Sequence, residues 1–185
     1  MKKEGESMTT QEAIKKEFMH LYNHKDFNHI TVKELCAGTP VARTTFYSYY
    51  ENTDELKEDI ENDLIRGLDS VALDTSQGNM PKMDFSLFFA NTMDYIKEHW
   101  EDIHAFLITQ PNFRFITKWK SAIKQHLRLR YPERQRDENE ELLLEAISCA
   151  VIGGYSYWME NPDTVDMNKL NQVIASGLAT AEKIL

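Results

Sequence analysis

Along most of this chain, apolar side chains return every three or four residues, the spacing that lines one face of a helix. Ile14, Phe18, Leu21 and Tyr22 form such a stripe. With Thr9 three residues ahead of Glu12 as a capping box, they predict a helix from Thr10 to Lys25. Residues 26–30 read as a turn that buries Phe27 and Ile30. Thr31 and Glu34 repeat the capping-box spacing and start a short second helix with Val32, Leu35 and Cys36 inward. Pro40 lacks a backbone donor and pushes Thr39 toward extended angles, so that helix must stop there. A third short helix is predicted from Val41 to Tyr49. A long fourth, capped at Asn52, reaches about Leu73 with Leu56, Ile60, Leu64 and Leu68 as its stripe. After a loop at 74–83, helices are predicted from Asp84 to His99, Glu101 to Ile108, Asn112 to Tyr131, Asp137 to Glu160 and Asp166 to Lys183. Strand-like alternation is missing, so the expected fold is all-α with nine helices.

Composition narrows the class. With 42% hydrophobic and 28% charged residues the chain is globular rather than disordered. No run of about 18 apolar residues predicts a membrane span. The polar start of the chain lacks the apolar core of a signal peptide, so a cytoplasmic location is expected. Cys36 and Cys149 sit far apart in apolar surroundings and read as two buried, reduced thiols. The net charge of −9 speaks against a nucleic-acid partner until its distribution is considered. Residues 1–50 carry seven Lys/Arg against six Asp/Glu, whereas the rest carries fourteen against twenty-four. The acidity lies almost wholly outside the N-terminal segment, which orients that segment toward phosphate.

Two short helices joined by a tight turn bury little by themselves. Braced by the first helix they form a three-helix helix-turn-helix, whose third helix enters the DNA major groove. That helix reads Ala42-Arg-Thr-Thr-Phe-Tyr-Ser-Tyr49. Phe46 is its inward anchor, with Tyr50 as support, which leaves Arg43, Thr44, Thr45, Tyr47 and Ser48 facing out. Threonine is a poor helix former, so short hydroxyls on an exposed helix ask for a reason. DNA supplies one: arginine bonds guanine at two atoms, threonine offers a methyl to thymine, and tyrosine and serine hydroxyls bond phosphate oxygens.

Thr31-Val-Lys-Glu-Leu35, Val41-Ala-Arg-Thr-Thr-Phe-Tyr47, Tyr50 and Asn52-Thr-Asp-Glu-Leu56 together resemble the TetR/AcrR family of transcription regulators. The resemblance covers about Thr10 to Ile65, and beyond that it is one of architecture. It implies an N-terminal DNA-binding domain over 1–52 and a C-terminal helical effector-binding and dimerisation domain over 53–185. It implies that Arg43, Thr44 and Thr45 face bases and that Thr31, Lys33 and Tyr47 face phosphates. Ser48, Tyr49 and Thr53 complete the expected contact set. Three positions depart from the family pattern. Pro40 stands where glycine is usual in the turn, Thr53 where a phosphate-gripping lysine is usual, and Tyr49 where histidine is common. The family further implies an effector pocket among the apolar residues of the larger domain, with Phe89, Met93, Trp100, Phe106, Trp119 and Tyr155 as candidate lining.

The last two helices carry more apolar surface than one small domain needs. Leu143, Ile147, Val151, Trp158, Leu170, Val173, Ile174 and Leu178 are therefore expected at a four-helix dimer interface. The basic run Arg114, Lys118, Lys120, Lys124, Arg128, Arg130, Arg134 and Arg136 reads first as a solvated face that balances acidic neighbours. Its alternative is a site for an anionic effector or for more DNA. His20 and His24 lie four apart and could share a metal with His29, but no cysteine or carboxylate completes a set, so neither metal nor cofactor is expected. No Gly-rich phosphate loop, nucleophile elbow or histidine-glutamate metal motif is present, so an enzyme is not expected. The expected partners are double-stranded operator DNA, a second copy of the chain, and a small-molecule or protein effector. The expected function is transcription regulation, most often repression in this family. The alternative is a helical adaptor of the same fold that acts through protein contacts.

Overall fold

The computed structural model of the chain describes residues 8–74, 85–130 and 138–184. Its helices are α1 (Thr10–Tyr22), α2 (Val32–Gly38), α3 (Arg43–Tyr49), α4 (Thr53–Asp74), α5 (Phe85–Glu98), α6 (Trp100–His104), α7 (Phe113–Arg130), α8 (Glu138–Glu160) and α9 (Met167–Ile184). A 3₁₀ turn covers Phe27–His29, and a π-helical turn, Ala105–Thr109, continues α6. Among the described residues there is no strand. The expected loop at 74–83 beyond Asp74, the cap at Asp84, the break at Pro132, and Arg134 and Arg136 lie outside the described residues. So do the side chains of Phe89, Arg130 and Leu178.

The chain divides into two compact units, after Asp63 rather than after Asn52. The first turns of α4 thus belong with the first unit. Their apolar residues Leu56 and Ile60 are 0% and 4% exposed, so they complete its core rather than begin the next. That core comprises Ile14, Phe18, Tyr22, Ile30, Leu35, Val41, Phe46 and Tyr50 as well. Each fully buried large side chain contributes about 1.5–3 kcal/mol by leaving water. The capping box at Thr9 and Glu12 forms as the spacing predicts. The helix ends three residues earlier than expected, where the Asn23 side-chain amide also donates to the Met19 carbonyl and the His24 N–H reaches back three residues instead of four, to the Leu21 carbonyl.

The second unit packs around an aromatic pile. Phe106 meets Phe115 at 5.3 Å, Phe115 meets Trp119 at 5.9 Å, and Trp119 stacks on Tyr155 at 5.7 Å. α7 and α8 run antiparallel and are laced by Lys120 and Lys124 to Glu145 and by Arg128 to Glu141. Three residues of the basic run are thereby spent on acidic neighbours, in keeping with its solvated-face reading. α9 closes on α8 where Gly154 leaves room, since a Cβ there would sit 3.0 Å from Ile174 and 3.4 Å from Leu170.

Hydrogen bonds from Lys120 and Lys124 hold the Glu145 carboxylate at about 2, below its ordinary 4.5. A folded value below the unfolded one means that this contribution to stability is present above the unfolded value and is lost as pH falls through about 2. In a Lys120→Ala, Lys124→Ala variant, the Glu145 carboxyl resonance is expected to titrate near 4.5 by NMR. A midpoint that stays at about 2 would mean that the lysines are not its cause.

Two sequence expectations, on the cysteines and on three residues of α8, are corrected here. One 18-residue window of α8, with a mean hydropathy of 1.3, matches a membrane span in length and composition alone. The helix begins with Glu138, Glu140 and Glu141, and it buries Leu144, Ile147, Val151, Tyr155 and Trp158 in the protein core. Cys149 is exposed and Cys36 half-buried, so neither is the buried thiol expected, although both are free. Ile147, Val151 and Trp158, expected to face a second copy, are 9%, 3% and 5% exposed and face the interior of their own unit.

Candidate nucleic-acid interface

The geometry of α2 and α3 follows from a few local bonds. The Thr31 hydroxyl accepts from the Glu34 N–H at 3.3 Å and starts α2. The Thr39 hydroxyl donates to the Leu35 carbonyl at 3.1 Å and ends it. Thr39 is extended, with φ −127° and ψ 156°, as the proline after it demands. Among the described residues no backbone is left-handed, so this turn needs no glycine, and Pro40 fits where the family pattern has one. Val41 is buried and seats the turn on the core. Ala42, also extended, opens α3 with no side-chain cap.

Phe46 at 0% exposure fixes which face of α3 points in. The opposite face presents Arg43, Thr44, Tyr47 and Ser48, all exposed, with Thr45 half-buried at its edge and Tyr49 exposed at its end. The Tyr47 ring stands perpendicular to Phe46 at 5.5 Å, which sets the direction of its hydroxyl. Ser48 donates its hydroxyl to the Thr45 carbonyl at 2.7 Å, so its proton stays within the helix and only its acceptor side is open. Thr31 and Lys33 are exposed on α2, and Thr53 is half-buried in the first turn of α4. Eight of the nine residues expected from the sequence lie on α2, α3 or their edges and the ninth, Thr53, on α4, with Thr45 and Thr53 the least accessible.

Of the six described Lys and Arg residues of this unit, three are already engaged. Lys15 pairs with Asp59 and Asp63, Lys25 with Glu34, and Lys57 with Asp54 while lying 3.4 Å over the Phe27 ring. Lys16 on α1, Lys33 on α2 and Arg43 on α3 are exposed, and of these Lys33 and Arg43 lie on the α2–α3 face. Exposed Glu51, Asp54 and Glu55 follow α3, and Asn52 occupies the first amides of α4, accepting from Asp54 and Glu55 at 2.9 Å each. The outward charge is thus thin.

A polar network behind α3 went unnoticed in the sequence. The Tyr50 hydroxyl donates to Asp59 Oδ2 at 2.9 Å and accepts from Gln11 Nε2 at 2.9 Å. Lys15 Nζ lies 2.6 Å from the same Asp59 oxygen. Burial opposes ionisation of Asp59, yet Lys15 and the Tyr50 hydroxyl hold its carboxyl below the ordinary value. Burial, with Asp59 beside it, pushes the Tyr50 phenol far above its own. The sequence signal was two i, i+4 pairs, Gln11 with Lys15 and Asp59 with Asp63, which nothing local connects.

The candidate effector residues divide. Trp119 and Tyr155 line a cavity of about 10 Å³ with Leu68, Asp69, Thr92, Ala122, Ile123, His126 and Val151. Met93, Trp100 and Phe106 do not line it; Met93 and Phe106 are core at 5% and 0% exposure, and Trp100 packs edge-on to Trp158 at 5.0 Å. The cavity has room for about one water. His126 Nε2 meets Asp69 Oδ1 at 2.7 Å on its wall. Among the described residues no three metal-ligating side chains converge, and the rings of His20 and His24 lie 4.8 Å apart.

No family model matches the chain. A 66-residue stretch is 30% identical to YxbF, an uncharacterized HTH-type transcriptional regulator of Bacillus subtilis (strain 168). That match covers 36% of this chain and only 17% of YxbF. The fold is similar to that of a TetR transcriptional regulator from Streptococcus agalactiae 2603V, at TM-score 0.68 and 21% identity over 90% of this chain and 92% of the other. It is also similar to the dihydroxyacetone kinase operon activator DhaS, at TM-score 0.64 and 18% identity over 97% of this chain and 99% of the other.

Proposed function

We propose that this chain, which has the TetR-type fold, is a DNA-binding transcription regulator that grips a near-palindromic operator as a homodimer in the bacterial cytoplasm. The observation that carries this reading is the outer face of α3, where Arg43, Thr44 and Tyr47 stand exposed on a helix locked from behind by Phe46. Two such helices would enter successive major grooves about 34–36 Å apart. The second unit would take a small-molecule or protein effector, which needs only to bind one dimer geometry better than the other. With room for about one water, the cavity at Trp119 and Tyr155 would have to open for a small molecule. Repression is the sign of regulation we infer, and a fall in expression from the chain's own promoter on deletion would reverse it.

The outward face of α8 and α9 supports the dimer, with Val173 among the expected residues and Leu142 and Tyr157 in addition to them. Leu142 at 70%, Tyr157 at 59% and Val173 at 62% are exposed. Ala146, Cys149, Ala150 and Gly153 lie between Leu142 and Tyr157 on one stripe of α8, and Gly177 follows Val173 on α9. Such a stripe permits close helix approach. Leu143, Leu170 and Ile174 are half-buried at its edge.

The adaptor reading has one observation in its favour, the acidic residues Glu51, Asp54 and Glu55 beside α3. Titration of the DNA upstream of the chain's own gene at several salt concentrations separates the two. Binding with a shallow log–log slope, about −4 for two pairs of outward cations, is expected of the regulator. A slope near −10 would overturn the thin-charge account. Failure to bind at low salt would favour the adaptor.

A further inference from the structure

Tyr50 ends α3, its N–H bonded to the Phe46 carbonyl at 3.0 Å and its ring 5.8 Å from that of Phe46. A phenylalanine would pack equally well there, so the hydroxyl is not needed to bury the ring. It is nonetheless held from both sides, by Gln11 of α1 and by Asp59 of α4. Asp59 Oδ2 is a shared acceptor, since Gln11 Nε2 also reaches it at 3.2 Å and Lys15 at 2.6 Å, and Lys15 extends the chain to Asp63. The other end of α3 has no comparable tie, for its N-cap is Ala42, with no side-chain bond.

We propose that Tyr50 is a positioning residue for DNA reading, its hydroxyl pinning the exit of α3 to α1 and α4 and so setting the aim of Arg43 and Thr44. This rests on the DNA-binding reading above. The lever is short. A seven-residue helix is about 10 Å long, so a tilt of about 10° at Tyr50 moves its far end by roughly 2 Å, enough to break a two-bond contact with a base. Phosphate contacts tolerate such a shift because lysine and tyrosine side chains can follow it.

The test uses the full chain with Tyr50→Phe, Asp59→Ala and the double variant, each titrated with the upstream DNA and with an unrelated duplex of equal length. Tyr50→Phe is expected to lose about tenfold in affinity for the upstream DNA and nothing for the unrelated duplex, at an unchanged salt slope. A purely structural role would lower both affinities by one factor, because it removes folded protein, and that result overturns the proposal. Equal affinity of Tyr50→Phe and the parent for the upstream DNA overturns it too. The double variant is expected to lose no more than the worse single one, since both break one network. Should Asp59→Ala fail to fold, Tyr50→Phe decides alone. If the parent chain binds neither duplex, the DNA reading falls, and amide exchange still tests the pin. Tyr49 and Tyr50 should exchange about tenfold faster in Tyr50→Phe with the α1 interior unchanged, and unchanged exchange at those two amides overturns it.

Discussion

Arg43→Ala should remove specific operator binding while leaving the fold intact. A two-bond arginine–guanine contact discriminates by about 1–3 kcal/mol, and a dimer makes it twice, so affinity should fall roughly 30- to 10⁴-fold. The unrelated duplex should lose far less, because it keeps every other phosphate contact. Arg43 is suited to the test because it is exposed and forms no ion pair among the described residues, so its removal disturbs no packing. Fluorescence anisotropy with both duplexes measures the two affinities, and circular dichroism confirms the helices. Tyr47→Phe gives the contrast. On the proposed reading its hydroxyl bonds a phosphate, so its loss should weaken both duplexes alike and by less. An operator affinity unchanged in Arg43→Ala would mean that α3 does not read bases through this residue.

The first unit was largely legible because its signals are local. Thr31 and Asn52 accept from amides two or three residues on, and Pro40 ends α2, so the caps and the break were written within four residues of where they act. The stripe Leu56, Ile60, Leu64 and Leu68 is buried throughout, as its period required. Non-local bonds were not legible. Gln11 and Asp59 are 48 residues apart, and only the packing of α1 against α4 brings them to one hydroxyl. The π turn was hidden as well. Ala105 to Thr109 reads as ordinary helix, and only the Gln110 N–H reaching the Ala105 carbonyl at 2.9 Å reveals the wider turn.

α8 shows why Ile147, Val151 and Trp158 were assigned to a partner. Its apolar residues surround the helix instead of forming a single face, so periodicity could not say which stripe meets the core. The sequence reading chose the bulkiest side chains for a partner. The structure spends Ile147, Val151 and Trp158 on its own core, where large residues return the most burial, and leaves mainly small ones outside. The pocket candidates divided for a related reason, since an aromatic that lines a cavity, as Trp119 and Tyr155 do, and one that fills a core, as Phe106 does, have the same sequence signature.

That outward stripe supports the second large prediction, Gly153→Arg. Gly153 lies midway along the exposed face of α8, and a Cβ built there meets nothing within 4 Å. Within one chain the substitution is therefore free of clash, and replacing a mid-helix glycine should stabilise α8 by up to about 1 kcal/mol. Against a second copy it plants a long charged side chain between Cys149 and Tyr157, where small residues would let two helices approach. Sedimentation should show monomer in place of dimer, with unfolding of the single chain unchanged or shifted upward. Operator affinity should drop by about 10² to 10⁴, since each head then binds its half-site without the other. The two readouts constrain each other. A monomer that kept full operator affinity would remove the need for paired heads. A variant that stayed dimeric would place the partner on another face, and Gly177→Arg, likewise exposed and without neighbours within 4 Å, would then show whether α9 alone carries the contact.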